Sequence, residues 1–194
     1  MVMQLDLGPQ TDEVIRIVAG VKDGQLDDPT PCEGTPVAGL LDHLMGLSLA
    51  FRMGAEKTPL DGGASASASA LDPAWRSELP ARLDALAAAW REPTAWEGFA
   101  TVGGASLPAP AMGGVALNEV LLHGWDLAVA TGQEYRPDPV SVEACLALVT
   151  GMNQPGNEEL RNGQFGPVVP VPLSAPALDR LLGLAGRSPS WPSR

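Results

Sequence analysis

The sequence predicts an all-α fold, a bundle of five or six helices with little strand. Three observations carry that expectation. Apolar residues recur at i, i+3, i+4 and i+7 in segment after segment. Stretches rich in Pro and Gly separate those segments and would stop the helices. Strand-like patterning is confined to short apolar runs around Gly103-Gly104, which read either as a small hairpin or as an irregular loop.

The elements follow in order. Val14, Ile17, Val18 and Val21 give the first helix, over 11–22, with Thr11 as its N-cap and Asp12 and Glu13 in the positive first turn. The loop DDPTPCEGTP comes next, and Thr35-Pro36 reads as N-cap and first position of a second helix running to about Met53. Residues 58–71, rich in Ser, Ala and Gly, read as a weakly ordered, exposed connection. Asp72-Pro73 starts a third helix with Trp75, Leu79, Leu83, Leu86 and Trp90 on one side, and Pro80 is expected to kink or break it. A long helix begins at Gly113 or Gly114 and stops at Gly132, a residue suited to the position just past a helix end. Asp138-Pro139 opens another helix, with Val142, Cys145, Leu146, Val149 and Met152 inward. Residues 153–173 read as an irregular crossing, after which Ser174 caps a last helix ending at Gly186.

The 194 residues, 45% of them apolar, suffice for a full-sized core. The reading is a single domain over 1–194 with an extended C-terminal segment from about 153. A net charge of −11 and a pI near 4.4 argue against a nucleic-acid partner, because phosphate repulsion would be general. The start, MVMQLDLGPQTDEV, has no basic n-region or sustained apolar run, and no stretch approaches the ~18 apolar residues of a membrane span. Cys32 and Cys145 are isolated, as in a reducing cytoplasm with both thiols free. No serine–histidine–aspartate set, phosphate loop or glycosidase carboxylate pair is apparent.

The chemistry gathers at the only two histidines. Glu119 and His123 fall one turn apart on the same helix face, with Val115, Ala116, Leu122, Leu127 and Ala130 on that side and Leu117, Leu121 and Gly124 off it. His43 has Gly39, Leu40, Leu44, Gly46, Leu47, Ala50 and Phe51 as helical neighbours. Both rings therefore point toward a core. A buried carboxylate needs a partner, and two helices facing each other could offer His43, Glu119 and His123 to one divalent ion. The alternative for each histidine is a core ring bonded to a backbone carbonyl. Asp126, near Glu119 and His123 on the wheel, reads as an acceptor orienting a ring N–H or a buried anchor ahead of a direct ligand. Trp125 lies about a third of a turn away and reads as core or interface packing. Cys32 precedes a helix, but with no third histidine to serve as its base it reads as structural or partly buried.

Three segments resemble a known family. TPCEGTPVAGLLDHLMG (30–46), NEVLLHGWDLAVATGQ (118–133) and FGPVVPVPLSAPALDRLLGLAGRSP (165–189) resemble the DinB-like metal-binding helical bundles. Within them the chain is similar to short relatives of mycothiol-dependent maleylpyruvate isomerase. The resemblance implies an up-down four-helix core with an ion held by His43, Glu119 and His123. Where the family carries Trp after the TPC segment and its Gly, this chain has Thr35. The chain lacks the length for the further C-terminal domain of the full isomerases.

The expected function is a metal-dependent enzyme using a low-molecular-weight thiol, mycothiol in particular, for isomerisation or S-transfer on a small molecule. The alternatives are a non-catalytic module in which the ion is structural or sensing, and a helical interaction protein without an ion. Zinc is the first choice for this ligand set, with nickel, iron and manganese compatible. The loops at 55–71 and 94–112 would shape the substrate mouth, and the chain would act as a monomer or homodimer.

Overall fold

A computed structural model describes residues 4–58, 66–161 and 164–191. Among them the helices are α1 (Gly8–Gly20), α2 (Val37–Ala55), α3 (Trp75–Arg91), α4 (Ala109–Ala130), α5 (Pro139–Met152), α6 (Glu158–Arg161) and α7 (Ala177–Leu184). The strands β1 (Phe99–Val102) and β2 (Ala105–Pro108) pair antiparallel, with Phe99 opposite Pro108 and Val102 opposite Ala105. The expected all-α class stands, and the stretch around Gly103-Gly104 is the hairpin rather than a loop. Both turn glycines have positive φ, 58° and 82°, which a two-residue hairpin turn demands and residues with a Cβ resist.

Helices α1 and α2 each pack against both α3 and α4, so these four elements enclose the main core. Leu40, Leu41 and Leu44 of α2, Leu79, Leu83 and Leu86 of α3, and Leu117, Leu121 and Leu122 of α4 are almost wholly buried. Each such side chain contributes roughly 1.5–3 kcal/mol of burial free energy. Helix α4 also receives α5, which in turn carries α7. That explains the imperfect stripe on α4: Leu117, Leu121 and Gly124 lie off the His123 face yet are buried, because neighbours surround most of the helix. At Gly124 a Cβ would stand 2.5 Å from Val14 Cγ2 and 2.9 Å from the Tyr135 hydroxyl. A larger residue would push α1 away from α4.

Several boundaries differ from the sequence expectation. Helix α1 begins three residues early, and Thr11, buried within it, donates its hydroxyl to the Gly8 carbonyl at 2.9 Å instead of capping. Thr35 does not cap α2 either. Pro36 holds the N-cap position, and the Thr35 carbonyl accepts from Thr30 Oγ1 at 2.7 Å. Helix α3 runs unbroken through Pro80: the lost N–H costs one hydrogen bond, while the fully buried Leu79, Leu83, Leu86 and Trp90 hold the segment in place. Helix α4 starts at Ala109 and not at Gly113, because Pro110 suits a first turn entered directly from β2. It does end at Gly132 as expected. Pro176 rather than Ser174 precedes α7, and the crossing at 153–173 contains the single turn α6. Of the connection at 58–71, residues 59–65 lie outside the described residues. Ala68–Ala70 forms a short 3-10 turn, and Ser67 N donates to Asp42 Oδ2 at 3.0 Å, fastening the segment to α2 beside His43.

Candidate metal centre at the α2–α4 seam

Helices α2 and α4 pack against each other and bring His43 to Glu119 and His123. Glu119 Oε2 lies 3.2 Å from His123 Nε2 and 3.9 Å from His43 Nε2. The two imidazoles meet edge to face, with centroids 4.9 Å apart and planes at 89°. One ligand atom from each of the three residues falls within 4.8 Å of the others. Around a tetrahedral zinc with ~2.05 Å bonds, neighbouring donors stand about 3.3 Å apart. The His123–Glu119 separation fits that spacing, and the His43–Glu119 separation would close by about half an ångström to match it. The rings do not enter the dry core, as the sequence expectation had it. They face a cavity of about 340 Å³ and keep 24% and 12% of their side-chain surfaces exposed.

A second group of polar side chains lies behind His123. Its Nδ1 is 3.0 Å from Asp126 Oδ2, a spacing of three residues on α4. Asp126 is fully buried. Arg187 grips it with two donors, Nε to Oδ1 at 2.8 Å and Nη2 to Oδ2 at 2.7 Å. Cys32 Sγ sits 3.2 Å from Asp126 Oδ2, 3.7 Å from Arg187 Nη2 and 3.9 Å from His123 Nδ1. Asp126 therefore occupies the orienting position, on the opposite ring nitrogen from Glu119. Trp125 is buried, in keeping with core packing.

Local structure aims both newcomers. The Cys32 loop is pinned where Thr30 Oγ1 accepts from Cys32 N at 3.1 Å, while Val37 N and Ala38 N donate back to the carbonyls of Asp28 and Leu26. Arg187 follows a helix stop in which Gly186 N donates to Gly183 O and Arg187 N to Leu182 O. Gly186 sits at φ 77°, and a Cβ there would meet the Gly166 carbonyl oxygen at 2.7 Å. This reversal turns the chain back and sends the guanidinium to Asp126.

The electrostatics follow from that wiring. Burial pushes the Glu119 carboxyl up, but its bonds to His123 and His43 outweigh this and hold it well below the usual carboxylate range. Burial likewise opposes Asp126, yet the Arg187 charge and the bonds to His123 and Arg187 bring its pKa down to about 2. Burial pulls His123 down, and its bonds to Asp126, Cys32 and Glu119 raise it well above an ordinary histidine. The site thus carries an excess of ionised carboxylate that attracts positive charge, whether a proton on His123 or a cation in the cavity.

Sequence reading missed Arg187. It stands in the segment 165–189, far along the chain from every other site residue, with no local spacing to mark it.

Comparison with known proteins gives the family and the fold. Residues 7–128 match the mycothiol maleylpyruvate isomerase N-terminal domain. The chain belongs to that family. Two uncharacterized proteins from two strains of Mycobacterium tuberculosis are each 32% identical over 193 residues, covering 91% of this chain and 93% of theirs. The crystal structure of the mycothiol-dependent maleylpyruvate isomerase superposes with a TM-score of 0.56 at 16% identity, over 74% of this chain and 66% of that one. At that identity the likeness speaks for the fold. No helix among the described residues is long and apolar enough to cross a membrane.

Proposed function

We propose that this chain is a metal-dependent, thiol-using enzyme in which His43, Glu119 and His123 hold one divalent ion, zinc ahead of nickel, iron or manganese. The convergence of three side chains from two helices on a single cavity wall carries the reading. An ion bound there would act as a Lewis acid and lower the pKa of a thiol or water beside it. Mycothiol is the thiol that family membership suggests, and isomerisation or S-transfer on a small electrophile is the reaction class.

The chain's own residues have separate tasks. Glu119 and His123 present donors one helical turn apart, and His43 completes the set from α2. Asp126 fixes the His123 ring by accepting from Nδ1, which leaves Nε2 for the cavity. Arg187 neutralises and orients Asp126. That arrangement weighs against the alternative of a closed, purely structural ion, because Asp126 sits on the far side of the ring from the other donors and supplies no fourth ligand.

The test is thiol-dependent turnover. Metal-loaded protein incubated with mycothiol and a panel of activated alkenes and alkyl halides should consume the thiol with the halides, or isomerise the cis-alkenes with the thiol regenerated, faster than the metal-free protein. Equal rates across the whole panel would refute the enzymatic reading.

A further inference from the structure

The cavity over the three donors has two lobes that differ in lining. The first, of about 340 Å³, mixes Cys32, Thr35 and Arg187 with Leu40, Leu122 and Phe165. The second, about 250 Å³, lies between α2, the hairpin and α4. His43, Glu119 and Gln164 line both, so the lobes join at the candidate metal centre. The walls of the second lobe are Leu47, Phe51, Val102, Leu107, Met112 and Val115. Among the described residues that line it there is no lysine or arginine, and its one carboxylate, Glu119, stands at the shared end. The hairpin creates this lobe: β1 lies on α2 at Gly54, where an added Cβ would meet Val102 Cγ2 at 2.7 Å.

We propose that the second lobe receives the apolar, uncharged portion of the molecule on which the thiol acts, an aryl or alkyl group about the size of a benzene ring with a short chain. The inference rests on the thiol-using reading above. Its physical basis is the lining. The far end of this lobe, away from the shared centre, offers an inserted polar or anionic substituent neither lysine nor arginine, and burial there would strip its water. An apolar group loses nothing and gains burial. A protein cavity of about 150 Å³ with comparable walls accepts benzene, so 250 Å³ leaves room for a substituent. The first lobe, which carries a hydroxyl, a thiol and a guanidinium among its lining groups, is left for the cosubstrate thiol. The two reactants would then meet over His43 and Glu119.

The experiment is calorimetric titration of metal-loaded protein with unreactive 4-alkylbenzyl alcohols, methyl through butyl, and with the uncharged polar analogue 4-(hydroxymethyl)benzamide. Affinity should rise about fourfold per methylene until the lobe is full. The benzamide should bind at least tenfold more weakly than the methyl compound. Val115→Phe and, independently, Ala50→Phe fill the lobe and should flatten the series, with metal content and melting temperature reporting that each variant is folded. No binding, a flat series in wild type, or benzamide binding as tight as the methyl compound overturns the inference. A parallel assay follows mycothiol with 4-alkylbenzyl chlorides, in which the sulfur–carbon bond forms, the carbon–chlorine bond breaks, and chloride and the thiol proton leave. Alcohols that bind with this chain-length dependence while neither thiol consumption nor thiol-dependent isomerisation occurs across the panel would sink the proposed function and leave the apolar lobe standing. Thiol consumption without chain-length dependence would do the reverse.

Discussion

The two faces of the His123 ring differ in what surrounds them and in what they can exchange. On the Nε2 side, Glu119 and His43 are partly exposed and open onto the cavity, with no lysine or arginine salt-bridged to Glu119 among the described residues. On the Nδ1 side, Asp126 is fully buried and already saturated by Arg187, Cys32 and the ring itself. Both faces offer metal-ligating atom types, and Cys32, His123 and Asp126 also lie within bonding reach of one ion. The guanidinium separates the two cases. A cation on the Nδ1 side would have to displace a buried Arg⁺ from its carboxylate, whereas one on the Nε2 side meets a carboxylate and two imidazoles from an accessible cavity. One ring thus joins a candidate binding surface to a structural clamp.

The largest expected effect breaks the clamp. Asp126→Leu leaves Arg187 charged, buried and unpaired, and should lower unfolding free energy by about 3–5 kcal/mol in chemical denaturation. Adding Arg187→Met should restore most of that loss, since a well-packed apolar pair replaces a buried ion pair at little cost. Metal affinity should stay about 10–100-fold weaker in the double variant, because His123 still lacks its acceptor. Recovery of metal affinity together with stability would mean that Asp126 is structural only.

A smaller effect comes from acid. The folded-state pKa of Asp126 lies below the ordinary aspartate value of 3.8, at about 2. The stability it contributes is therefore complete above pH ~4 and disappears as pH falls toward 2. The metal-free protein should lose about 2 kcal/mol over that window through this group, measured by denaturant titration at a series of pH values. The double variant should lack this component. His123 has the opposite sign. Its raised pKa means that the metal-free protein favours the protonated ring, so ion affinity should climb with pH as that proton is shed.

The smallest effect tests the edge of the clamp. Cys32→Ala removes one weak thiol contact to Asp126 and should cost about 1 kcal/mol while leaving bound metal unchanged. A loss of metal in that variant would move the ion to the Nδ1 side of the ring.

The Nε2 side was legible in the sequence and the Nδ1 side only in part, for a physical reason. Glu119, His123 and Asp126 lie within two turns of one helix, so local periodicity places them together. His43 was within reach because its helix is amphipathic and the chain has only one other histidine. Arg187 is 61 residues beyond Asp126, and its position depends on how α7 packs on α5 and on the reversal at Gly186. Nothing local encodes that. Helix starts differ from the sequence expectation where a polar residue resembles a cap: Thr11, Thr35 and Ser174 all have N-cap side chains, yet a proline in or just before the first turn marks each start instead. The break expected at Pro80 failed because tertiary packing of α3 outweighs one missing hydrogen bond.

The most direct measurement is the metal content of untagged protein purified from cells, wild type beside Glu119→Gln and His43→Ala. The account predicts close to one divalent ion per wild-type chain and less than a tenth of that in either variant, with all three proteins folded. Wild-type protein without a divalent ion even after incubation with zinc, or variants that retain it in full, would contradict the claim that these three side chains share one cation.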